Sequence, residues 1–251
     1  MNPVVYWCPI CRNQFYGIPR EVSGTSRITT TERRSQYLLT PTDHTLMLID
    51  HQPQMTFSVQ SHDIANLRNN LGGLSKTAKL FNIPIIMTTI TAATFSGKIL
   101  SEIQSVFPDR SPIDRTVINA WEDPRVFRQI NEYGNRKIVM AGLWTEVCLL
   151  APVLSAIADG YEVFFITDAS GGVNKESHDM AVIRMTQAGA HPITWLQYLL
   201  ELQRDFAIKE TYNGTLDIIK QHGGAYGLGI IYANEMFGIQ YGRKGSNGNI
   251  I

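Results

Sequence analysis

The chain has 251 residues, 44% hydrophobic and 18% charged, which supplies a sizeable core and argues against global disorder. Its 22 basic and 22 acidic side chains cancel, so composition gives no electrostatic case for nucleic acid or an anionic membrane as partner. No apolar run is long enough to span a bilayer, no secretory leader pattern opens the chain, and three cysteines are an odd number that makes no disulfide framework, so a reducing cytoplasm is the expected setting.

Residues 1–40 read as an N-terminal extension, with Cys8-Pro9-Ile10-Cys11 followed by a polar Thr/Arg/Ser run and no sustained helical or strand period. The pattern then becomes regular over residues 41–206. Thr45 to Ile49 is an apolar strand ending at Asp50, and Ile64, Leu67, Leu71, Leu74 and Ala78 recur at helical spacing across the weakening pair Gly72-Gly73. Pro84 to Thr88 is the next strand, Ile99 to Val106 a short helix, Asp114 to Ile118 a short strand and Val126 to Glu132 a helix. Lys137 to Ala141 is a strand and Glu146 to Asp159 a helix that is apolar nearly all round. Tyr161 to Ile166 is a strand, Ser177 to Ala188 a helix, Pro192 to Thr194 a last strand and Trp195 to Phe206 a closing helix. The strands are unbroken apolar runs alternating with helices, which marks a mostly parallel sheet covered on both faces: a three-layer α/β/α domain. Residues 207–251 read as a C-terminal extension too small for a core of its own, suited to pack on the domain or on a neighbouring subunit.

Open α/β sheets bind ligands at the carboxyl ends of their strands. Standing there are Asp50, Thr88, Thr89, Arg115, the run Gly142 to Cys148, and Asp168. Cys148 falls in the first turn of a helix with Thr145 as its expected N-cap. Free amides and the helix dipole favour an anion there, and Arg115 adds a fixed positive charge, so the thiol pKa is expected to fall. Asp50 is placed to take the thiol proton and return it to a leaving group, and backbone amides around Thr145 and Cys148 to hold an oxyanion. Pro152 cannot donate to the carbonyl of residue 148, so the helix should bend near its start. The bland alternative is that Cys148 is an ordinary buried cysteine, Asp50 a turn residue and Arg115 a solvated surface cation.

The ordered segments Leu48-Ile49-Asp50-His51-Gln52, Ile118-Asn119-Ala120-Trp121, Ala141 to Cys148 and Thr167-Asp168-Ala169-Ser170-Gly171 resemble the isochorismatase-like cysteine hydrolase superfamily, and within it the YcaC-type branch. The resemblance implies a Rossmann-like fold, an Asp–Lys/Arg–Cys triad here made of Asp50, Arg115 and Cys148, and a cis peptide bond falling at Trp144–Thr145. Arginine cannot shuttle a proton at neutral pH, so Arg115 acts electrostatically or positionally. Members with a metal carry an Asp-x-His motif. None stands between Thr88 and Val117, so no metal and no cofactor is expected. A retained cysteine points to hydrolysis of an amide-like C–N bond of a small molecule through a thioester. Oligomers in the same branch imply a homo-oligomer, for which Ile230, Ile231, Tyr232, Met236 and Phe237 offer a contact surface. The rival readings are a silent scaffold of the same fold and a thiol that senses oxidants.

Asn119 and Trp121 are candidates for the pocket wall, with Trp144 the better one because it adjoins the cysteine. Asp168 is expected to cap the Ser170-Gly171-Gly172 turn. Cys8-x-x-Cys11 is half a zinc site with no second half. The first strand is followed by no Gly-x-Gly-x-x-Gly, which removes a dinucleotide site, and no Gly-Lys-Ser/Thr loop is present to cradle phosphate.

Overall fold

The structure, a computed structural model, describes residues 4–7, 14–17 and 37–238. Two units are distinguished, residues 1–38 and 39–251. In the first, β1 (Val4–Trp7) and β2 (Gln14–Gly17) pair antiparallel. The extension therefore holds strands that its irregular polarity did not reveal. Cys8 and Cys11 lie outside the described residues.

The second unit carries a six-stranded sheet. Its strands are β3 (His44–Ile49), β4 (Ile85–Ile90), β5 (Ile113–Arg115), β6 (Lys137–Gly142), β7 (Glu162–Ile166) and β8 (His191–Ile193). They lie in the order β5-β4-β3-β6-β7-β8, every neighbouring pair parallel. The helices are α1 (Pro53–Phe57), α2 (Ile64–Leu80), α3 (Ser101–Gln104), α4 (Pro124–Tyr133), α5 (Leu150–Ala158), α6 (Lys175–Gln187), α7 (Trp195–Gln203), α8 (Lys209–His222) and α9 (Ala225–Phe237). Strand alternation builds the two interior layers. Leu46, Leu48, Met87, Val139, Ala141 and Phe164 pack against α2, α7 and α8 on one face. Met47, Ile49, Ile86, Met140 and Phe165 pack against α4, α5 and α6 on the other. The expected three-layer architecture with a parallel sheet is what the chain forms.

The helix starts follow local chemistry. Asp63 accepts from the Asn66 N–H at 2.9 Å, Asp123 from the Arg125 N–H at 2.9 Å, and Asn174 from the Ser177 N–H at 2.8 Å. Gly73, a weak residue inside α2, has a packing reason: a Cβ there would stand 2.7 Å from the Trp195 ring of α7. Sequence reading missed α1, α8 and α9. Pro53 opens α1 at its first position, where proline is tolerated. In α8 the stripe Tyr212, Thr215, Leu216, Ile219 has helical spacing, but Gly214 interrupts it, and two further glycines, Gly227 and Gly229, sit inside α9. No helix among the described residues is long and apolar enough to cross a membrane.

Strand order sets where chemistry can occur. From β3 the sheet grows one way through β4 and β5, and the other way through β6, β7 and β8. The crevice therefore opens between the carboxyl ends of β3 and β6. Ile49 pairs with Gly142 at that point, and a Cβ on residue 142 would come within 2.9 Å of the Ile49 Cβ, so only glycine lets the two strand ends approach.

Candidate active site

Asp50 follows β3 with φ 56°, a left-handed conformation that aspartate tolerates better than most residues, and its N–H donates to the Thr88 carbonyl at 3.1 Å. The turn sends the carboxylate into the crevice, where it is fully buried. The Thr88 hydroxyl donates to Oδ1 at 3.0 Å, and Arg115 Nη2, from the end of β5, donates to Oδ2 at 2.6 Å. Both side chains of this ion pair are inaccessible to solvent. Arg115 Nη1 donates to the carbonyls of Val117 and of Ile118, the latter at 3.1 Å. Cys148, reached from β6, is buried beside Asp50, close enough for each to shift the other's proton affinity. Sequence reading assigned Thr88 no role, although its place at a strand end beside Asp50 was visible.

Thr145–Leu149 form a wide π-helical turn before α5. Pro152 lacks the N–H that would bind the residue-148 carbonyl, and the wide turn takes the place of the expected bend. The cis peptide bond is Leu143–Trp144, one residue earlier than expected. Leu143 is still held to the sheet, its N–H on the Ile49 carbonyl at 3.0 Å, while Thr145 already begins the helical turn, so the turn is made at the bond between Leu143 and Trp144. Thr145 also differs from expectation in its amide. That N–H donates to the Gly171 carbonyl at 3.0 Å and is not free for an oxyanion, and Trp144, not Thr145, is the N-cap. The Trp144 N–H lies near the Cys148 sulfur and favours its thiolate.

The thiol pKa does not fall. Burial, then the charge of Asp50, push the Cys148 thiol up to about 12, against the smaller pull of Arg115 and the Trp144 N–H. Burial likewise raises Asp50 above the usual carboxylate range, opposed by Arg115, Thr88 and Cys148. Charge counting explains both. A thiolate beside the Asp50 carboxylate would set two anions against one guanidinium in a dry crevice. A neutral thiol beside the carboxylate leaves the trio uncharged overall. Moving the proton from sulfur to Asp50 also leaves it uncharged, so the nucleophile can form without any proton reaching solvent.

The other expected site residues are placed as follows. Trp144 is half-buried beside the thiol with its indole N–H on the Met55 carbonyl at 3.0 Å. Asn119 Nδ2 donates to Glu122 and Ser155, both at 2.9 Å, its Oδ1 accepts the Trp121 N–H, and the Trp121 indole donates to Asp159 at 2.7 Å. Neither makes a polar contact with Cys148 or Asp50. Asp168 receives the Trp195 N–H at 2.9 Å and so holds the start of α7 rather than the 170–172 turn. Gln52 had no assigned role, yet its amide clamps Ile90 and Gly97 and so fixes the loop after β4. Among the described residues, no group of three or more His, Cys, Asp or Glu side chains is arranged to hold a metal ion.

His51 is fully buried and its Nε2 donates to the Ala169 carbonyl at 2.9 Å, which fixes the proton on Nε2. Burial lowers its pKa from 6.5 to about 4. His178, hydrogen-bonded to the Thr145 hydroxyl at 2.8 Å, is lowered by burial to a similar value. A folded-state pKa below the unfolded one means that this stability is fully present above about pH 6.5 and lost as pH falls towards 4. His51 alone should account for about 3 kcal/mol of that loss. Urea unfolding at steps between pH 7 and 4 reads it. A His51→Gln variant, which keeps a donor for the Ala169 carbonyl, should show a shallower fall, and equal slopes would refute the assignment.

A family model described as the Isochorismatase domain matches residues 44–197. The probable hydrolase YcaC of Escherichia coli (strain K12) is 37% identical over 165 residues, 65% of this chain and 79% of that protein. The crystal structure of E. coli YcaC, described as an octameric hydrolase of unknown specificity, superposes with a TM-score of 0.76 at 32% identity, covering 81% of this chain and 99% of that chain. YcaC from Pseudomonas aeruginosa, solved with hexane-2,5-diol and covalent acrylamide, gives a TM-score of 0.75 at 32% identity over 82% of this chain and 99% of that one. Nicotinamidase 3 of Arabidopsis thaliana is 26% identical over 98 residues, 38% of this chain and 49% of that protein.

Proposed function

Since this chain belongs to the isochorismatase family, we propose that it is a metal-independent cysteine hydrolase acting on a small amide or related C–N substrate. One observation carries the reading: the Cys148 thiol is buried beside the solvent-inaccessible Asp50–Arg115 ion pair at the crevice between β3 and β6. The absence of Asp-x-His between Thr88 and Val117 is what supports a reaction without metal.

In the proposed reaction Cys148 Sγ attacks the acyl carbon while its proton passes to Asp50. The N–H groups of Trp144 and Cys148 receive the oxyanion. The C–N bond breaks as Asp50 returns the proton to the departing nitrogen, leaving a thioester on Cys148. Water then adds to the thioester carbon and gives its proton to Asp50. The C–S bond breaks, the acid leaves, and the proton goes back to sulfur. Arg115 stays charged throughout and keeps the aspartate oriented. The name of the matched nicotinamidase is consistent with acyl-nitrogen chemistry. The test is a screen of small amides comparing wild type with Cys148→Ala. A protonated resting thiol weakens the oxidant-sensor alternative, because oxidants react with the thiolate.

A free thiol suits the cytoplasm, the proposed location. The octameric E. coli relative supports a homo-oligomer. Ile230 packs into the core, while Tyr232, Met236 and Phe237 of α9 are exposed and are the proposed contact. Light scattering at micromolar concentration should give a multiple of the chain mass, and Met236→Glu should reduce it. A monomeric wild type counts against this.

A further inference from the structure

The turn that carries Cys148 is anchored from outside its own helix. Pro152 offers no N–H to the residue-148 carbonyl, so Thr145–Leu149 lean on bonds to other segments. Three of these run to the chain after β7. The Thr145 N–H donates to the Gly171 carbonyl at 3.0 Å, Glu146 Oε1 accepts from the Val173 N–H at 3.0 Å, and the Thr145 hydroxyl meets His178 Nδ1 at 2.8 Å. The first two end on backbone. The third joins two buried side chains, and the mechanism above gives neither of them a task.

His178, on α6, is itself held in place. Its ring stands edge-on to that of His62, with centroids 4.7 Å apart and planes at 84°. His62 Nδ1 hydrogen-bonds the Ser61 hydroxyl at 2.8 Å, and the same hydroxyl accepts the Gly172 N–H at 2.9 Å. The Gln60 and Ser61 N–H groups donate to the Gly172 carbonyl at 3.1 and 3.3 Å. Residues 60–62 therefore brace both anchors of Thr145: the Gly171 carbonyl through Gly172, and the His178 ring through His62. The charges near the two rings are Lys175 and Asp179, which pair with each other at 2.6 Å. Burial, then His62, lower the His178 pKa to about 4, so the ring is neutral at pH 7. A neutral imidazole keeps one N–H and one lone pair, and either serves the Thr145 hydroxyl.

We propose that His178 is a positioning residue for the hydrolysis: its bond to the Thr145 hydroxyl, braced by His62, fixes the turn that sets the Cys148 sulfur beside Asp50 and the Trp144 N–H. This rests on the reading of Cys148 as nucleophile and adds a part to that machinery. Thr145 directly follows Trp144 and stands three residues before Cys148 on one short turn, so a displacement of Thr145 is passed to the sulfur and to the amide near it. Attack on an electrophile with proton transfer to Asp50 tolerates little misplacement, since an error of about 1 Å costs about 100-fold in rate. His178 acts through Thr145 and not on the reacting atoms.

The test is the rate at which iodoacetamide alkylates Cys148 in the full-length protein at pH 7. A sulfur–carbon bond forms, iodide leaves and the thiol proton passes to Asp50. Peptide mass spectrometry separates Cys148 from Cys8 and Cys11. His178→Phe keeps a ring and removes the nitrogen, and Thr145→Val keeps the shape and removes the hydroxyl. Each should slow alkylation by about 10-fold. The double variant should also be about 10-fold slower, not about 100-fold, because both changes remove one bond. His178→Asn, which places a polar atom where histidine has Nδ1, should recover the rate to within about 3-fold of wild type. Thermal unfolding checks that each variant is folded, and should His178→Phe fail to fold, Thr145→Val still decides. A packing role alone would leave alkylation by folded His178→Phe and Thr145→Val at the wild-type rate. That result overturns the proposal, as does a double variant about 100-fold slower or a folded asparagine variant as slow as phenylalanine, and each leaves the nucleophile in place. Failure of iodoacetamide to modify Cys148 in the wild type overturns the nucleophile itself, and this inference with it.

Discussion

Cys148→Ala is expected to abolish turnover of any amide this protein hydrolyses, by at least about 10⁴-fold, while the protein stays folded. The loss is large because no neighbour can replace the sulfur. The Thr145 hydroxyl is bound to His178, the Thr88 hydroxyl to Asp50, and no other cysteine lies among the described residues. Water activated by Asp50 alone would lack the covalent step that divides the reaction in two. The fold should tolerate the change. Cys148 is a small side chain at the edge of a packed cluster, and removing one sulfur atom costs about 1 kcal/mol, far below a domain's total stability. Asp50 and Arg115 keep each other, so no buried charge is stranded. The measurement pairs a small-amide screen with thermal unfolding of both proteins. An alanine variant retaining more than about 1% of wild-type turnover would sink the mechanism, since a nucleophile cannot be that dispensable. Activity lost together with the folded baseline would instead mark Cys148 as a packing residue.

How far the sequence reveals this site depends on which physical fact each feature needs. Asp50, Arg115 and Cys148 are legible because unbroken apolar runs mark buried parallel strands, and polar residues just beyond such strands stand at the ligand-binding edge. That β3 lies beside β6, and so brings Asp50 against Cys148, is a matter of strand order, which no local pattern encodes. The expected fall in the thiol pKa reversed for the same reason. Helix start and arginine are visible in sequence, but the depth of the crevice and the nearness of the Asp50 charge are not, and together these outweigh the arginine. Asn119 and Trp121 were drawn towards the pocket by their motif, whereas the fold uses their polar atoms to hold the 119–122 turn against Ser155 and Asp159. The two helices after residue 207 were hidden by Gly214, Gly227 and Gly229, although Tyr212, Thr215, Leu216 and Ile219 carried the period.

Asp50→Asn should separate two properties that a simple activated cysteine would gain or lose together. Asparagine has the same shape and cannot hold the proton. Its substitution removes the negative charge that keeps the thiol protonated, while Arg115 and the Trp144 N–H, which favour the thiolate, remain. Arg115, now without its carboxylate in a site closed to water, has the Cys148 thiolate as its available counter-ion. The thiol pKa should therefore drop well below about 12. Alkylation by iodoacetamide at pH 7 should become about 10-fold faster, and thiolate absorbance should appear in the ultraviolet. Amide turnover should nevertheless fall by about 10³-fold, because the group that protonates the departing nitrogen and later deprotonates water is gone. Stability should become pH-dependent in a defined sense. A thiol whose folded pKa lies below its unfolded one stabilises the fold above the unfolded value, and that contribution is lost as pH falls through the folded value, where Arg115 is left buried beside a neutral thiol at a cost of about 3–5 kcal/mol. Slower alkylation combined with retained turnover would mean that Asp50 neither restrains nor relays the proton. Faster alkylation with lost turnover, in one variant, is the combination that a shared proton between Cys148 and Asp50 requires.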